Sequence, residues 1–226
     1  MKTLANRRPF LTLETPNKHT MKQFLLIIVA ISISMSTAFG QHDMSKVFDK
    51  DSKLVWYGLD FTQAKMVGHA GFSDPYKIVN YYFTNWNELV NTEYEKYDVR
   101  KVMHRRDMIY NVDAIRNANQ DVDSGDLVHG HTHKLDDSNI ASCDEALKTE
   151  KDEDGVGMMM VVESFDKPAE KGTYHVVFFD IQSKDVIKST KLTGAAGGFG
   201  FRNYWARTFK EVLEKIERHE YRKWRK

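Results

Sequence analysis

Three histidines alternate in LVHGHTHKL, at His129, His131 and His133. Successive side chains of an extended chain point to opposite faces, so all three imidazoles would project to one side, as a divalent transition-metal site requires. Asp121, Asp123, Asp126, Asp136 and Asp137 flank them as possible oxygen ligands. The flanks are loop-like, with Gly130 in the middle, and a ligand set without a fixed frame holds metal weakly. An exposed loop with adventitious affinity is therefore the first reading, and a metal-dependent enzyme or metal carrier the second. DVDSGD, residues 121–126, lacks the closing Glu of a calcium-binding loop.

GAAGGFGFRNYW, residues 194–205, sets a Gly-rich turn between a strand and a helix. Free backbone N–H groups at a helix start can bind an anion, which makes Gly197, Gly198, Gly200 and Arg202 candidates for anion or partner binding. The alternative is that glycine serves only positive φ and close packing of helix on sheet. No Gly-Lys-Ser or Gly-Lys-Thr ending marks a phosphate loop. At the chain end, HEYRKWRK places Arg222, Lys223, Arg225 and Lys226 around Trp224. Such a segment can lie against an anionic membrane, envelope glycan or protein, or can end a helix where the dipole favours cations. There is no Gly-x-Ser-x-Gly elbow, and the sole cysteine, Cys143, sits in a helical pattern, so no catalytic residue is assigned.

The elements that would position these groups are legible in part. Residues 53–67, KLVWYGLDFTQAKMV, read as a first strand or strand pair. A helix follows, capped by Asp74 with Pro75 at its first position, and Ile78, Val79, Tyr82, Trp86, Leu89, Val90 and Tyr94 form its core face. MIYNV from Met108 reads as a second strand, and residues 117–138 as a polar, acidic loop with at most short structure. Ser138 or Asn139 caps a helix whose Ile140, Cys143, Ala146 and Leu147 share a face. GMMMVVESF, from Gly157, is a central strand buried on both faces, and TYHVVFFDI with DVIKSTKL forms an antiparallel hairpin. Phe201, Tyr204, Trp205, Phe209, Val212, Leu213 and Ile216 then mark a long amphipathic helix that must cover the sheet. The fold class is α/β or α+β: one mixed sheet covered by helices, ending in a hairpin and that helix.

Residues 21–40, MKQFLLIIVAISISMSTAFG, have the positive start, apolar run and small residues of a cleavable export signal. The run is shorter than the roughly 20 apolar residues that span a bilayer. Met21 is the expected translation start and residues 1–20 a mis-assigned extension, leaving 41–226 as one domain exported to the periplasm or beyond, without a lipid anchor. A net charge of +1 gives no global case for nucleic acid. The charge is unevenly placed, with eleven acidic against three basic residues over 121–154 and five basic residues against Glu220 over 218–226.

In its VVFFDIQSKDVIKST hairpin and the GGFGFRNYW turn into the last helix, the chain resembles uncharacterised secreted proteins of Bacteroidetes. More remotely it is similar to envelope proteins of the TolB amino-terminal-like α/β fold, which include the curli-secretion and penicillin-binding-protein activator lipoproteins. The resemblance implies an accessory or scaffolding role in the cell envelope, without catalysis, in contact with another envelope protein or polymer.

Overall fold

The computed structural model describes residues 44–142, 147 and 154–226. The extension at 1–20, the export signal at 21–40, Cys143 and Ala146 lie outside them. The apolar run after Gly155 forms β5 (Val156–Asp166), every residue of which is buried. It is buried because it has neighbours on both edges and helices on both faces. The hairpin of β6 (Lys171–Asp180) and β7 (Val186–Ala195) runs antiparallel along one edge. Along the other lie β1 (Leu54–Asp60) and β2 (Lys65–Val67), both parallel to β5 and in the same lane, separated by a kink at 61–64. The short β3 (Ile109–Tyr110) flanks β1 and β4 (Val128–His129) flanks β2, completing a seven-stranded mixed sheet. The architecture is the expected one: an α/β fold whose mixed sheet is covered by helices and ends in a hairpin followed by a long helix.

The larger core lies on the first face, where Trp56 and Leu59 of β1, Phe61 of the kink, Met158, Met160 and Phe165 of β5, and Tyr174, Val176 and Phe178 of β6 meet two helical runs. The first run opens at Pro75, with the Asp74 carboxylate accepting from the Lys77 N–H at 3.0 Å. It passes through a π-helical turn, Ile78–Tyr82, and ends at Thr92. Ile78, Val79, Trp86, Leu89 and Val90 are buried as their spacing predicts, but Tyr94 is 64% exposed. The run stops before Tyr94, and the non-helical backbone of Glu93 carries that ring off the apolar face. The closing helix, Phe201–Lys215, buries Trp205 flat on Phe165 at 4.8 Å and Phe209 parallel to Trp56 at 6.2 Å. After a second π-helical turn, Trp224 packs edge-on against Phe178 and donates to Thr190 at 3.0 Å. Helix and sheet approach so closely that a Cβ at Gly194 would lie 2.0 Å from the Thr208 carbonyl oxygen.

On the second face a smaller core joins Val55, Tyr57, Met159, Val161, Val177 and Phe179 with Ile115, Leu135, Ile140 and Leu147. Residues 117–138 hold short structure within the loop expected there: a helix, Asp113–Gln120, runs into it and a 3-10 turn, Ser124–Asp126, and β4 follow. Ile115 and Asn119 are that helix's buried residues, so its inward face carries too little apolar character to show a period. The next helix, Asp137–Ser142, also starts earlier than expected: Asp136 accepts from the Asn139 N–H at 2.9 Å and takes the capping role given to Ser138 or Asn139.

Two buried asparagines replace a missing strand. β3 pairs only with Val55 and Trp56, so the outer edge of β1 runs on unpaired. Asn87 accepts from the Leu59 N–H at 2.7 Å and donates to the Leu59 carbonyl at 2.9 Å. Asn119 donates to that same carbonyl at 2.9 Å and accepts from the Phe61 N–H at 2.7 Å. Gly58, at φ 110°, makes room for this, since a Cβ there would stand 2.4 Å from the Asn87 oxygen. Among the described residues no helix is long and apolar enough to cross a membrane.

Candidate functional site

Three segments meet where β1 begins. The helix Val99–Val102, capped by Asp98, ends at His104, which takes a positive φ of 49° and turns the chain back. Arg105 then folds inward to 8% exposure and donates to the backbone carbonyls of Asp49 and Ser52, stapling the turn that leads into β1. Burial draws this guanidinium below its ordinary pKa, with Asp49 opposing the shift. Its Nε–H is buried without a partner. The end of the closing helical run docks on the same loop, the Tyr221 ring lying 4.3 Å from that of His104 and 5.3 Å, edge-on, from Phe48. The Arg225 guanidinium sits over both the Phe48 and Tyr221 rings, at 6.0 and 5.8 Å, a cation–π placement that fixes it.

The result is a groove of two depressions, of about 700 and 790 Å³, that share Lys50 and His104. Arg218, Arg222 and Arg225 line the first with His219 and Tyr221. Lys53, Arg100, Arg105 and Arg106 line the second. Among the described residues three carboxylates, Asp51, Asp107 and Glu217, share these walls, and two of the arginines are paired just outside them, Arg100 with Asp98 at 3.1 Å and Arg218 with Glu214 at 3.2 Å. Lys50 and Arg106 form neither hydrogen bonds nor ion pairs among the described residues. The groove therefore concentrates positive charge in a chain whose net charge is +1, and clustered cations of this kind attract multiply charged anions; of its arginines Arg105 is buried and the other five are exposed.

Of the candidates read from sequence, Arg222 and Arg225 enter the groove, whereas Lys223 pairs with Glu220 at 2.6 Å and lines neither depression. Lys50, Arg100, His104, Arg105 and Arg106 were missed, although four Lys and Arg residues with His104 in 100–106 were a visible signal. The Gly-rich turn lies at the other end of the closing helical run. Gly198 and Gly200 take positive φ, the Gly197 N–H donates to the Tyr204 carbonyl at 3.0 Å, and Phe199 between them is 97% exposed. Arg202 is held by Glu93 at 2.6 Å, while its carbonyl accepts from the Trp86 indole at 3.0 Å.

The histidines gather at the β4 edge. The His129 ring lies 5.1 Å from that of His131 and 6.5 Å from that of His133. Only Val128 and His129 are in a strand, so proximity comes from the turn after them and not from the extended alternation expected. His129 Nε2 faces Asp126 at 3.3 Å, and His133 Nε2 faces the Gln63 carbonyl at 3.0 Å. Burial lowers the pKa of His133. Among the described residues no three His, Cys, Asp or Glu side chains are disposed to hold a metal ion.

No family model, curated protein or solved structure matches the chain. A further buried charged cluster lies on the second face. Glu163 is 3% exposed and accepts from Lys191 at 2.6 Å, His175 at 2.9 Å and the Leu135 N–H at 3.1 Å. Burial pushes its pKa up, but these hydrogen bonds outweigh burial and hold it below the usual value. A carboxylate saturated in this way is a clamp tying residue 135 to the sheet.

Proposed function

We propose that this chain is a non-catalytic exported protein of the cell envelope that binds an acidic macromolecule through the basic groove at the start of β1. The observation that carries the reading is the junction of two depressions at Lys50 and His104, walled by eight Lys and Arg side chains against Asp51, Asp107 and Glu217. Charge arranged in this way favours a partner with repeated negative groups and makes association sensitive to salt. Titration of the full chain against poly-L-glutamate, dextran sulfate and polyphosphate tests it. At least one should bind, less tightly as salt rises, and the Arg222→Ala, Arg225→Ala double variant should weaken that binding while the melting temperature holds. Indifference of every polyanion to the double variant would refute the groove as the binding surface. Export is tested by mass spectrometry of protein from its host, which should start at Gln41 and carry no lipid.

A metal-binding role for the histidine cluster is the second reading, favoured by the 5.1 Å approach of the His129 and His131 rings. Elemental analysis of untagged protein decides it. A full equivalent of zinc, copper, nickel or iron that is lost on His129→Ala, His131→Ala, His133→Ala would establish this reading; substoichiometric metal would dismiss it.

A further inference from the structure

We infer, resting on the proposed reading of the groove, that its ligand is a linear phosphate-bearing polymer lying across both depressions, with Lys50 and His104 at the waist. Length is the first argument. Small-molecule sites are concave and mostly apolar with a few convergent polar groups. These two depressions stand in tandem, are walled mainly by charged side chains, and share residues at their junction. A compact ligand would fill one and leave the cations of the other unmatched; a chain with a charge on every repeat matches both.

Phosphate is the second argument. Six of the eight cationic side chains are arginines, Lys50 and Lys53 being the exceptions. A guanidinium presents a rigid fork of donors suited to the oxygens of phosphate, where an ammonium acts as a point charge. One of these forks is fixed before any ligand arrives: Arg225 is held over Phe48 and Tyr221. Arg105 spends its terminal N–H groups on the Asp49 and Ser52 carbonyls and its Nε–H is buried, so it contributes charge beneath the groove and no fork. Fixed donors lose little entropy on binding.

The ligand is read by its backbone and not by bases. Single-stranded nucleic acids bind proteins by stacking bases on exposed aromatic rings along a basic track. Among the described residues Tyr221 is the one Phe, Tyr or Trp in these walls, and its ring is already occupied by His104, Phe48 and Arg225, which leaves the small His219 imidazole as the remaining ring.

The test uses the full chain and measures binding of tripolyphosphate, long-chain inorganic polyphosphate, poly-L-glutamate and a single-stranded oligonucleotide matched in charge to the long chain. Long polyphosphate should bind at least about tenfold more tightly than tripolyphosphate, because its second half binds without a new loss of freedom. Arg222→Ala in the first depression and Arg106→Ala in the second should each weaken the long chain and each lower the slope of log affinity against log salt by about 1. Tripolyphosphate, confined to one depression, should respond to only one of them. Both are surface substitutions, and an unchanged melting temperature confirms that folding is intact. Equal affinity for long and short phosphate chains would overturn the inference, as would loss confined to one variant, poly-L-glutamate binding as tightly as polyphosphate, or the oligonucleotide binding more tightly than polyphosphate, which would show that bases are read. If poly-L-glutamate or dextran sulfate binds through the groove and polyphosphate does not, the phosphate inference fails while the proposed function stands. If no polyanion binds, both fail.

Discussion

The clearest test of the fold is the pair of asparagines that stand in for a strand along β1. Asn87→Ala removes the acceptor of the Leu59 N–H, on a residue buried at 1% exposure, and two donated hydrogen bonds. Leaving a buried donor unmade costs about 1–3 kcal/mol, and each lost hydrogen bond about 1 kcal/mol net. The Leu59 carbonyl keeps Asn119, however, so the single substitution should cost about 2–3 kcal/mol. Asn119→Ala strands the Phe61 N–H in the same way and should cost a similar amount. Together they strand the Leu59 carbonyl too, so the double variant should lose more than the sum, by about 1 kcal/mol. Against a typical stability of about 5–15 kcal/mol these losses are large. Urea unfolding followed by tryptophan fluorescence gives the free energies, and hydrogen exchange at the Leu59 and Phe61 amides gives the location. Strict additivity, or unaltered protection of the Leu59 amide in Asn87→Ala, would show that the asparagines do not serve as the edge of the sheet.

Other substitutions test the core and the buried clamp. Trp205→Ala and Phe209→Ala each remove a ring stacked in the main core and should cost about 3–5 kcal/mol, read as a clear fall in melting temperature. Arg222→Ala or Lys223→Ala should barely move it; a thermally silent Trp205→Ala would mean the closing helix does not cover the sheet. Glu163 has a folded pKa below its unfolded value, so its contribution is present above the unfolded carboxylate pKa of about 4.3 and is lost as pH falls through the lower folded value. Glu163→Gln should therefore lower stability near neutral pH and flatten its decline in acid; an unchanged acid slope would remove Glu163 from that linkage.

The sequence revealed elements wherever a large apolar face repeats. β5 reads as a buried strand because nine consecutive residues from Gly157 hold only Glu163 and Ser164 as polar side chains, and the closing helix reads from seven residues at helical spacing. The helix Asp113–Gln120 escaped notice for the converse reason. Its inward residues are Ile115 and Asn119, and the second acts by hydrogen bonding to β1, which hydropathy cannot register. Tyr94 was placed on a buried face by spacing alone, and spacing carries no information about where a run of helix stops.

The groove was harder to read because no single segment contains it. Its cations come from 50–53, 100–106 and 218–225, and each stretch taken alone looks like solvated surface. What joins them is packing of apolar and aromatic groups: Phe48 against Tyr221, Tyr221 against His104, and Trp224 against Phe178. The aromatic residue that the sequence offered as the centre of a basic tail, Trp224, is 6% exposed and serves as the anchor that delivers Arg222 and Arg225 to the start of β1. Charge set the chemistry of this surface, but burial of rings beneath it set its position. A substitution at Trp224 should therefore weaken polyanion binding without touching a ligand, by releasing the helix end that carries the first depression. Trp224→Phe, which keeps the contact with Phe178 and loses only the hydrogen bond to Thr190, should retain most of that binding, and Trp224→Ala should not. Equal binding by the two variants would separate the groove from the packing that is argued to build it.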